Sequence, residues 1–388
     1  MANLIEKDKQ FVANTYARFP VEIEKGEGSY LYSLDGKKYI DMGSGIGVTA
    51  FGNGDKEWVN AVTAQLGKVQ HTSNLYYTEP CATLAEMLCK RTGMKKVFFA
   101  NSGAEANECA IKVARKYAAD KKGGEYNQII TLKNSFHGRT LTTLAATGQD
   151  KFHELFCPLT PGFVHATAND LGSVEALINN GKACAVMIEC IQGEGGVNCL
   201  EQEFVKGVEK LCKDNDLIFI VDEVQTGNGR TGELYAYMNY GVTPDVVSTA
   251  KGLGGGLPIG CCLMSEKVQN VLGFGDHGST FGGNPVCAAG AVSVLKRLTP
   301  EFLNSVKEKS KLIFETLGGA KGIESISGAG LMIGIKTTRS AKDVVLECIE
   351  KGVLCLTAKD KVRLLPALNI PVEALKTALD VIKEVAAK

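Results

Sequence analysis

Leu217-Ile218-Phe219-Ile220-Val221-Asp222-Glu223-Val224-Gln225 opens with a run of five apolar residues and then presents a carboxylate. Val246-Val247-Ser248-Thr249-Ala250-Lys251 is a second such run, ending in a lysine that opens the glycine-rich stretch Gly252-Leu253-Gly254-Gly255-Gly256-Leu257-Pro258-Ile259-Gly260. Both read as short buried strands, each delivering one charged side chain at its carboxyl end. A lysine there is costly when charged, because low dielectric disfavours the ammonium and lowers its pKa. The neutral amine is a nucleophile that forms a Schiff base with an aldehyde. The glycines beside it let a planar ligand approach the backbone. Taken alone, Lys251 is equally a residue that runs its stem along the surface and keeps its ammonium in water. Asp222 supplies a second anchor. An amine for an aldehyde and a carboxylate for a pyridinium nitrogen are what pyridoxal 5′-phosphate needs from a protein.

Outward from these runs, short apolar strands at 96–100, 128–132, 185–189, 217–221, 246–248 and 260–264 alternate with helical patterns. The alternation predicts an α/β layer architecture with a mostly parallel sheet. Ligands on such sheets sit outside the carboxyl ends of the strands, where Asp222 and Lys251 fall. Earlier in the chain, residues 30–34 and 37–41 flank Asp35-Gly36, a hairpin signal. Later, 300–317 predicts a helix, 331–336, 352–356 and 362–365 predict strands, and a last helix begins near Pro371, in a first turn that tolerates proline. The expected division is an N-terminal segment 1–54 contributing to a small domain, a large cofactor-binding α/β domain 55–285, and a small α+β domain 286–388.

Bulk composition narrows the function classes. The 43 basic and 43 acidic residues balance, and no basic run stands out, so neither nucleic acid nor an anionic membrane is an expected partner. The apolar runs are strand-sized, far short of a membrane span. Met1-Ala2-Asn3-Leu4-Ile5-Glu6-Lys7-Asp8 has acidic residues and no apolar core, so no secretory signal is expected. Thirteen cysteines without a Cys-x-x-Cys pair suggest reduced thiols in a cytoplasmic protein. The five histidines are not spaced with cysteines as a zinc site requires, and no metal is expected.

Five further segments carry polar chemistry. Asn101-Ser102-Gly103-Ala104-Glu105 follows a strand and starts a helix. Ser102 can cap, and Gly103 and Ala104 offer backbone N–H groups to a phosphate, although an ordinary capped turn has the same look. In Phe136-His137-Gly138-Arg139 the phenyl can stack on a flat ring and the arginine can clamp a carboxylate. A core phenylalanine, a structural histidine and a surface arginine explain the segment as well. Glu194, in Gln192-Gly193-Glu194-Gly195-Gly196, is a loop carboxylate among glycines that suggest close approach, or a solvated one. His277-Gly278-Ser279-Thr280-Phe281-Gly282-Gly283-Asn284-Pro285 is a turn whose hydroxyl pair could complete a phosphate site. Arg363, on the apolar Val362-Arg363-Leu364-Leu365 run, either points outward or reaches a carboxylate in a cleft between domains.

Together, Asp222-Glu223-Val224-Gln225-Thr226-Gly227 with Gly229-Arg230-Thr231-Gly232, then Ala250-Lys251-Gly252, then Ser279-Thr280-Phe281-Gly282-Gly283-Asn284-Pro285 closely resemble the class III aminotransferases of fold type I, and among them the acetylornithine aminotransferase group. The likeness runs over essentially the whole chain. It implies the fold type I architecture, with a mostly parallel seven-stranded sheet in the large domain and a smaller α+β domain. It also implies roles. Lys251 would hold pyridoxal phosphate covalently and later shuttle a proton. Asp222 would pair with the pyridinium nitrogen, Phe136 and Val224 would cover the two ring faces, and Gln225 would lie near the ring hydroxyl. Ser102 with the Gly103 and Ala104 backbone would meet the phosphate, and Thr280 would reach the phosphate of a neighbouring subunit, making a homodimer with shared active sites. Arg139 would bind a substrate carboxylate, with Ser279 close to the donor. Glu194 would be a switch, pairing with Arg363 when an amine donor binds and releasing it for the α-carboxylate of glutamate.

The implied reaction moves the ω-amino group of N²-acetylornithine to 2-oxoglutarate. Ornithine, N-succinylornithine and 4-aminobutyrate are the alternative donors, an aminomutase is a rival reaction type, and a non-catalytic binding module is a rival class. The compact length and Gly45-Ile46-Gly47-Val48 favour the acetylated donor. Three positions depart from the common pattern. Ala104 replaces a frequent threonine, Cys190 replaces a usual proline and puts the rigidity of the Glu194 loop in question, and Phe51-Gly52-Asn53-Gly54-Asp55 lacks the usual Gly-His-x-His-Pro.

Overall fold

In the computed structural model, residues 4–388 are described; Met1, Ala2 and Asn3 of the start read above for a secretory signal lie outside them. Strands form where an apolar run finds cover on both faces. In Ile218–Asp222, Phe219 and Val221 join one buried cluster while Ile218 and Ile220 join a second. That is the period-two alternation of a strand. Burial of each such aliphatic or aromatic side chain contributes about 1.5–3 kcal/mol. Helix Gly103–Lys122 covers one face with Cys109, Ile111 and Val113, and helix Gln202–Asp214 covers the other with Phe204, Val205 and Val208.

The central sheet has seven strands in the order Lys96–Ala100, Gly260–Met264, Val246–Thr249, Ile218–Asp222, Ala183–Ile188, Gln128–Leu132 and Phe163–Ala166. Gly260–Met264 runs antiparallel to both its neighbours, and the pairings among the other strands are parallel. The edge strand Phe163–Ala166 was not among the expected ones; it has four residues, is mostly half-buried and carries His165, so it lacks the apolar signature.

A second sheet pairs Ile23–Glu27, Tyr30–Ser33 and Lys38–Asp41 antiparallel and then adds Val353–Leu354 parallel to Lys38–Asp41, tying the two ends of the chain together. A third contains Ile323–Ala329, Met332–Thr337, Lys361–Leu364 and Leu356–Ala358. The single strand expected at 352–356 is therefore a correction: the chain breaks at Cys355 and serves two sheets. Ile323–Ala329 and helix Ala341–Glu350 were also unanticipated. Pro371 is the N-cap of helix Val372–Ala386 rather than a first-turn residue. Among the described residues no helix is long and apolar enough to cross a membrane.

Register decides where chemistry can sit. Asp222 lies opposite Ser248 on the neighbouring strand, so Lys251 emerges at the same sheet edge. Gly260 lies opposite Ala100, and its backbone packs so tightly that a Cβ there would meet the Ser102 carbonyl oxygen at 2.4 Å.

Candidate active site

Beyond the carboxyl ends of these strands lies a cavity of about 460 Å³, lined among others by Ser102, Gly103, Ala104, Phe136, Arg139, Asp222, Val224, Gln225 and Lys251. Lys251 starts a short 3₁₀ turn with φ +43°, in the left-handed region that L-residues occupy at a cost. The turn is held from outside: Asn228 Nδ2 donates to Thr249 Oγ1 at 2.9 Å and to the Ala250 carbonyl at 3.1 Å. Burial lowers the pKa of the Lys251 ammonium, opposed by the nearby Glu194 and Asp222 carboxylates.

Asp222 is 3% exposed, and three donors fix it. Its Oδ1 accepts from the Val224 N–H at 2.9 Å, and its Oδ2 accepts from Asn107 Nδ2 and His137 Nδ1, each at 2.8 Å. His137, read as a structural histidine, is thus in contact with Asp222. Asn107 was missed because the residue it serves is far away in sequence. Its only signal is an amide on the buried face of an otherwise apolar helix side.

At the helix start, Ser102 Oγ accepts from the Glu105 N–H at 3.2 Å and Glu105 Oε2 accepts from the Asn101 N–H at 2.7 Å. This reciprocal cap leaves the Gly103 and Ala104 N–H groups at the positive end of a helix of 20 residues. Glycine is required at 103, since a Cβ would meet Val224 Cγ1 at 2.5 Å.

Glu189 was also missed. It ends its strand much as Asp222 does, is buried, lines the cavity and accepts the Phe136 N–H at 2.9 Å. Burial, and then Asp222, push its carboxyl well above the ordinary range.

Glu194 and Arg363 meet at 2.6 Å, and Gln225 bridges them, accepting from Arg363 at 3.1 Å and donating to Glu194 at 3.2 Å. Burial alone would raise the Glu194 carboxyl, but the Arg363 charge and these hydrogen bonds outweigh it and hold it below the usual value. The Gln225 amide is thus engaged by this pair. The Glu194 loop is anchored despite its missing proline: the Cys190 carbonyl accepts from Tyr240 Oη at 3.1 Å and from the Leu200 N–H at 3.0 Å.

Four expected residues are not part of the cavity lining: Glu194 and Arg363, which reach it through Gln225, and Ser279 and Thr280. Ser279 Oγ accepts from Asn101 Nδ2 at 3.2 Å, and exposed Thr280 lines a separate concavity with residues of the 71–78 segment.

The residues present fit a phosphorylated pyridine aldehyde: an amine, a fixed carboxylate, two apolar faces and a helix N-terminus share one cavity. The family model for class-III aminotransferases matches residues 11–386. The chain is a class III aminotransferase. Class III aminotransferases use pyridoxal phosphate. This one is 50% identical over 380 residues to the acetylornithine aminotransferase of Haemophilus ducreyi, covering 97% of each chain, and 46% identical to that of Aquifex aeolicus, covering 97% of this chain and 99% of that protein. Among solved structures, ornithine aminotransferase from Toxoplasma gondii superposes with a TM-score of 0.94 at 31% identity, covering 98% of this chain and 94% of that one. N-acetylornithine aminotransferase from Stenotrophomonas maltophilia superposes with a TM-score of 0.86 at 34% identity, covering 99% and 98%.

Next to Asp222 this aminotransferase buries a second carboxylate, Glu223, which accepts from Thr226 Oγ1 at 2.6 Å and from the Tyr237 N–H at 2.8 Å. Burial is the chief cause raising its pKa to about 7. A folded-state pKa above the unfolded value means that the folded protein binds the extra proton. Glu223 therefore subtracts stability as pH rises from about 4.5 to 7. Glu223→Gln keeps an acceptor for Tyr237 and places a donor against Thr226. It is expected to flatten the fall in unfolding free energy across that window, by on the order of 3 kcal/mol. Urea denaturation of both proteins at pH 5, 6 and 7.5 reads this directly, and parallel pH profiles would refute it.

Proposed function

We propose that the chain transfers the ω-amino group of N²-acetylornithine to 2-oxoglutarate, giving N-acetylglutamate 5-semialdehyde and glutamate in alternating half-reactions of arginine biosynthesis. The observation that carries this reading is the contrast between two arginines. Arg363 is ion-paired to Glu194 at 2.6 Å, whereas exposed Arg139 has no ion pair or hydrogen bond among the described residues. An ω-amine donor keeps its carboxylate far from the reacting nitrogen, where Arg139 is free to take it. Glu194 meanwhile neutralises Arg363, so no unpaired cation faces the donor's chain. 2-Oxoglutarate brings an α-carboxylate next to the reacting carbon, and that group takes Arg363 when Glu194 withdraws. The 50% identity with an acetylornithine aminotransferase supports the donor.

When bound, pyridoxal phosphate supplies an aldehyde for the amino group and an electron-withdrawing ring for the charge left by C–H cleavage. Lys251 would hold the aldehyde and, as a free amine, would take and return the proton at the carbon beside the reacting nitrogen. Its lowered pKa enlarges the neutral fraction that can do so. Asp222, oriented by Asn107 and His137, would face the ring nitrogen with its carboxylate. Ser102 and the Gly103 and Ala104 N–H groups would receive the phosphate.

The site is further proposed to be completed by a second copy. Thr280 lies in a concavity of its own beside exposed Tyr76, Tyr77 and Phe281, which supports an apolar contact bringing Thr280 to the partner's phosphate. Sedimentation at the mass of one chain of 41.4 kDa would overturn this. A cytoplasmic location is supported by thirteen cysteines with no disulfide among them, and cell fractionation tests it.

The decisive experiment adds each donor separately to the yellow holoenzyme without a keto acid. Loss of the yellow band fastest with N²-acetylornithine, restored by 2-oxoglutarate, is the expected result. Ornithine leading would transfer the reading to the activity named for the Toxoplasma gondii neighbour, and no bleaching by any donor would sink it. In the same assay Glu194→Ala is expected to lower the ratio of the acetylornithine rate to the glutamate rate by about tenfold or more, because Arg363 is then uncovered in both half-reactions.

A further inference from the structure

Arg139 poses a positioning problem. A guanidinium that must meet a carboxylate in one geometry has about 2 kcal/mol of rotamer entropy to lose, and arginines in such sites are normally held by hydrogen bonds or an acid. Arg139 has neither among the described residues. What it has is aromatic surface: its guanidinium carbon lies 4.4 Å from the centroid of the Phe152 ring and 5.6 Å from that of Phe136. The two rings meet edge to face at 6.0 Å. A guanidinium stacked on a ring keeps all five N–H donors, which point outward in its plane. This mode of support fixes the group without using the donors that a substrate carboxylate requires.

Phe152 is itself held. It ends a short 3₁₀ turn, Asp150–Phe152, whose first hydrogen bond runs from the Phe152 N–H to the Gln149 carbonyl at 3.0 Å. Gln149 is buried, and its Nε2 donates to the Ser135 carbonyl at 3.0 Å. The Gly148 N–H donates to Ser135 Oγ, also at 3.0 Å. The turn carrying Phe152 is thus fastened to the residue just before Phe136, which ties the two rings into one platform. Lys151 places its ammonium 4.8 Å from the same ring without entering the cavity lining.

We propose that Phe152 is the positioning residue that sets Arg139 for the carboxylate of the donor, acting through the face of its ring rather than by touching substrate. The proposal rests on the reading of Arg139 as a carboxylate site, and its test separates the two. Phe152→Leu keeps an apolar residue and removes the ring face; Phe152→Tyr restores it. Each holoenzyme, together with Arg139→Ala, is assayed with N²-acetylornithine and with N-acetyl-1,4-diaminobutane, the same donor lacking its carboxylate. Phe152→Leu is expected to raise KM for acetylornithine about tenfold with kcat within about twofold, to leave the carboxylate-free donor unaffected, and to be rescued by tyrosine. Equal losses with both donors, or none with either, overturn the positioning role while Arg139→Ala still discriminates between them. If Arg139→Ala fails to discriminate, both the carboxylate site and the role of Phe152 fall.

Discussion

Lys251→Ala is expected to lower the rate of each half-reaction by about 10⁴-fold or more, because it removes the residue proposed both to hold the cofactor covalently and to carry the proton. The charged neighbours of Lys251 offer no substitute for it. The groups that face the lysine most closely in charge are Glu194, Asp222, Arg363 and Glu189. Three of these are acids already committed to Arg363, to His137 and Asn107, or to the Phe136 N–H. Alanine at φ +43° carries much the same backbone cost as lysine, so the fold does not relax to compensate. Borohydride treatment of the holoenzyme supplies a readout independent of turnover. The wild type gains the mass of the cofactor on the peptide containing residue 251, and the variant gains none. A variant that kept a hundredth of wild-type activity would remove Lys251 from its assigned role.

The second large effect concerns Asp222. Asp222→Asn is nearly isosteric, yet every partner of this carboxylate is a donor: the Val224 N–H, the Asn107 amide and His137 Nδ1. An asparagine can present its oxygen to only one side, so its own N–H groups must confront at least one of them. A buried donor left unsatisfied costs about 1–3 kcal/mol, and the variant should unfold at correspondingly lower urea. Losing the charge against the ring nitrogen should further lower kcat by about 10²–10⁴-fold, with a smaller change in KM. Full kcat with reduced stability alone would mean that Asp222 is a structural carboxylate.

Residues whose role shows in their own segment were legible from the chain alone. Ile218–Asp222 announces itself because both faces are buried and the run ends in a charge. Ser102 announces itself because a cap followed by an acid is a local pattern, and the two side chains do exchange bonds. Residues that act through distant partners left no such trace. Asn107 reaches Asp222 across 115 positions, and Arg230 donates to the Leu331 and Pro366 carbonyls across 101 and 136 positions. Phe152 looks like any half-buried phenylalanine until Arg139 is found above it. Strand Ile323–Ala329 was illegible for a related reason: with Glu, Ser, Ser and Gly among its seven residues, its pairing with Met332–Thr337 defines it better than its apolar content does.

The contact between Gly260 and the Ser102 carbonyl joins parts that otherwise look independent. The helix-capping turn at Ser102 and the strand that follows the lysine turn approach so closely that no side chain fits between them, since a Cβ on Gly260 would meet the Ser102 carbonyl oxygen at 2.4 Å. The capped helix start and the lysine turn are therefore coupled through backbone, and a change at one end of the cavity is transmitted to the other. Redesign for a different cofactor would have to move the sheet edge itself, whereas the donor end, resting on the ring platform and the Glu194 loop, leaves room to change.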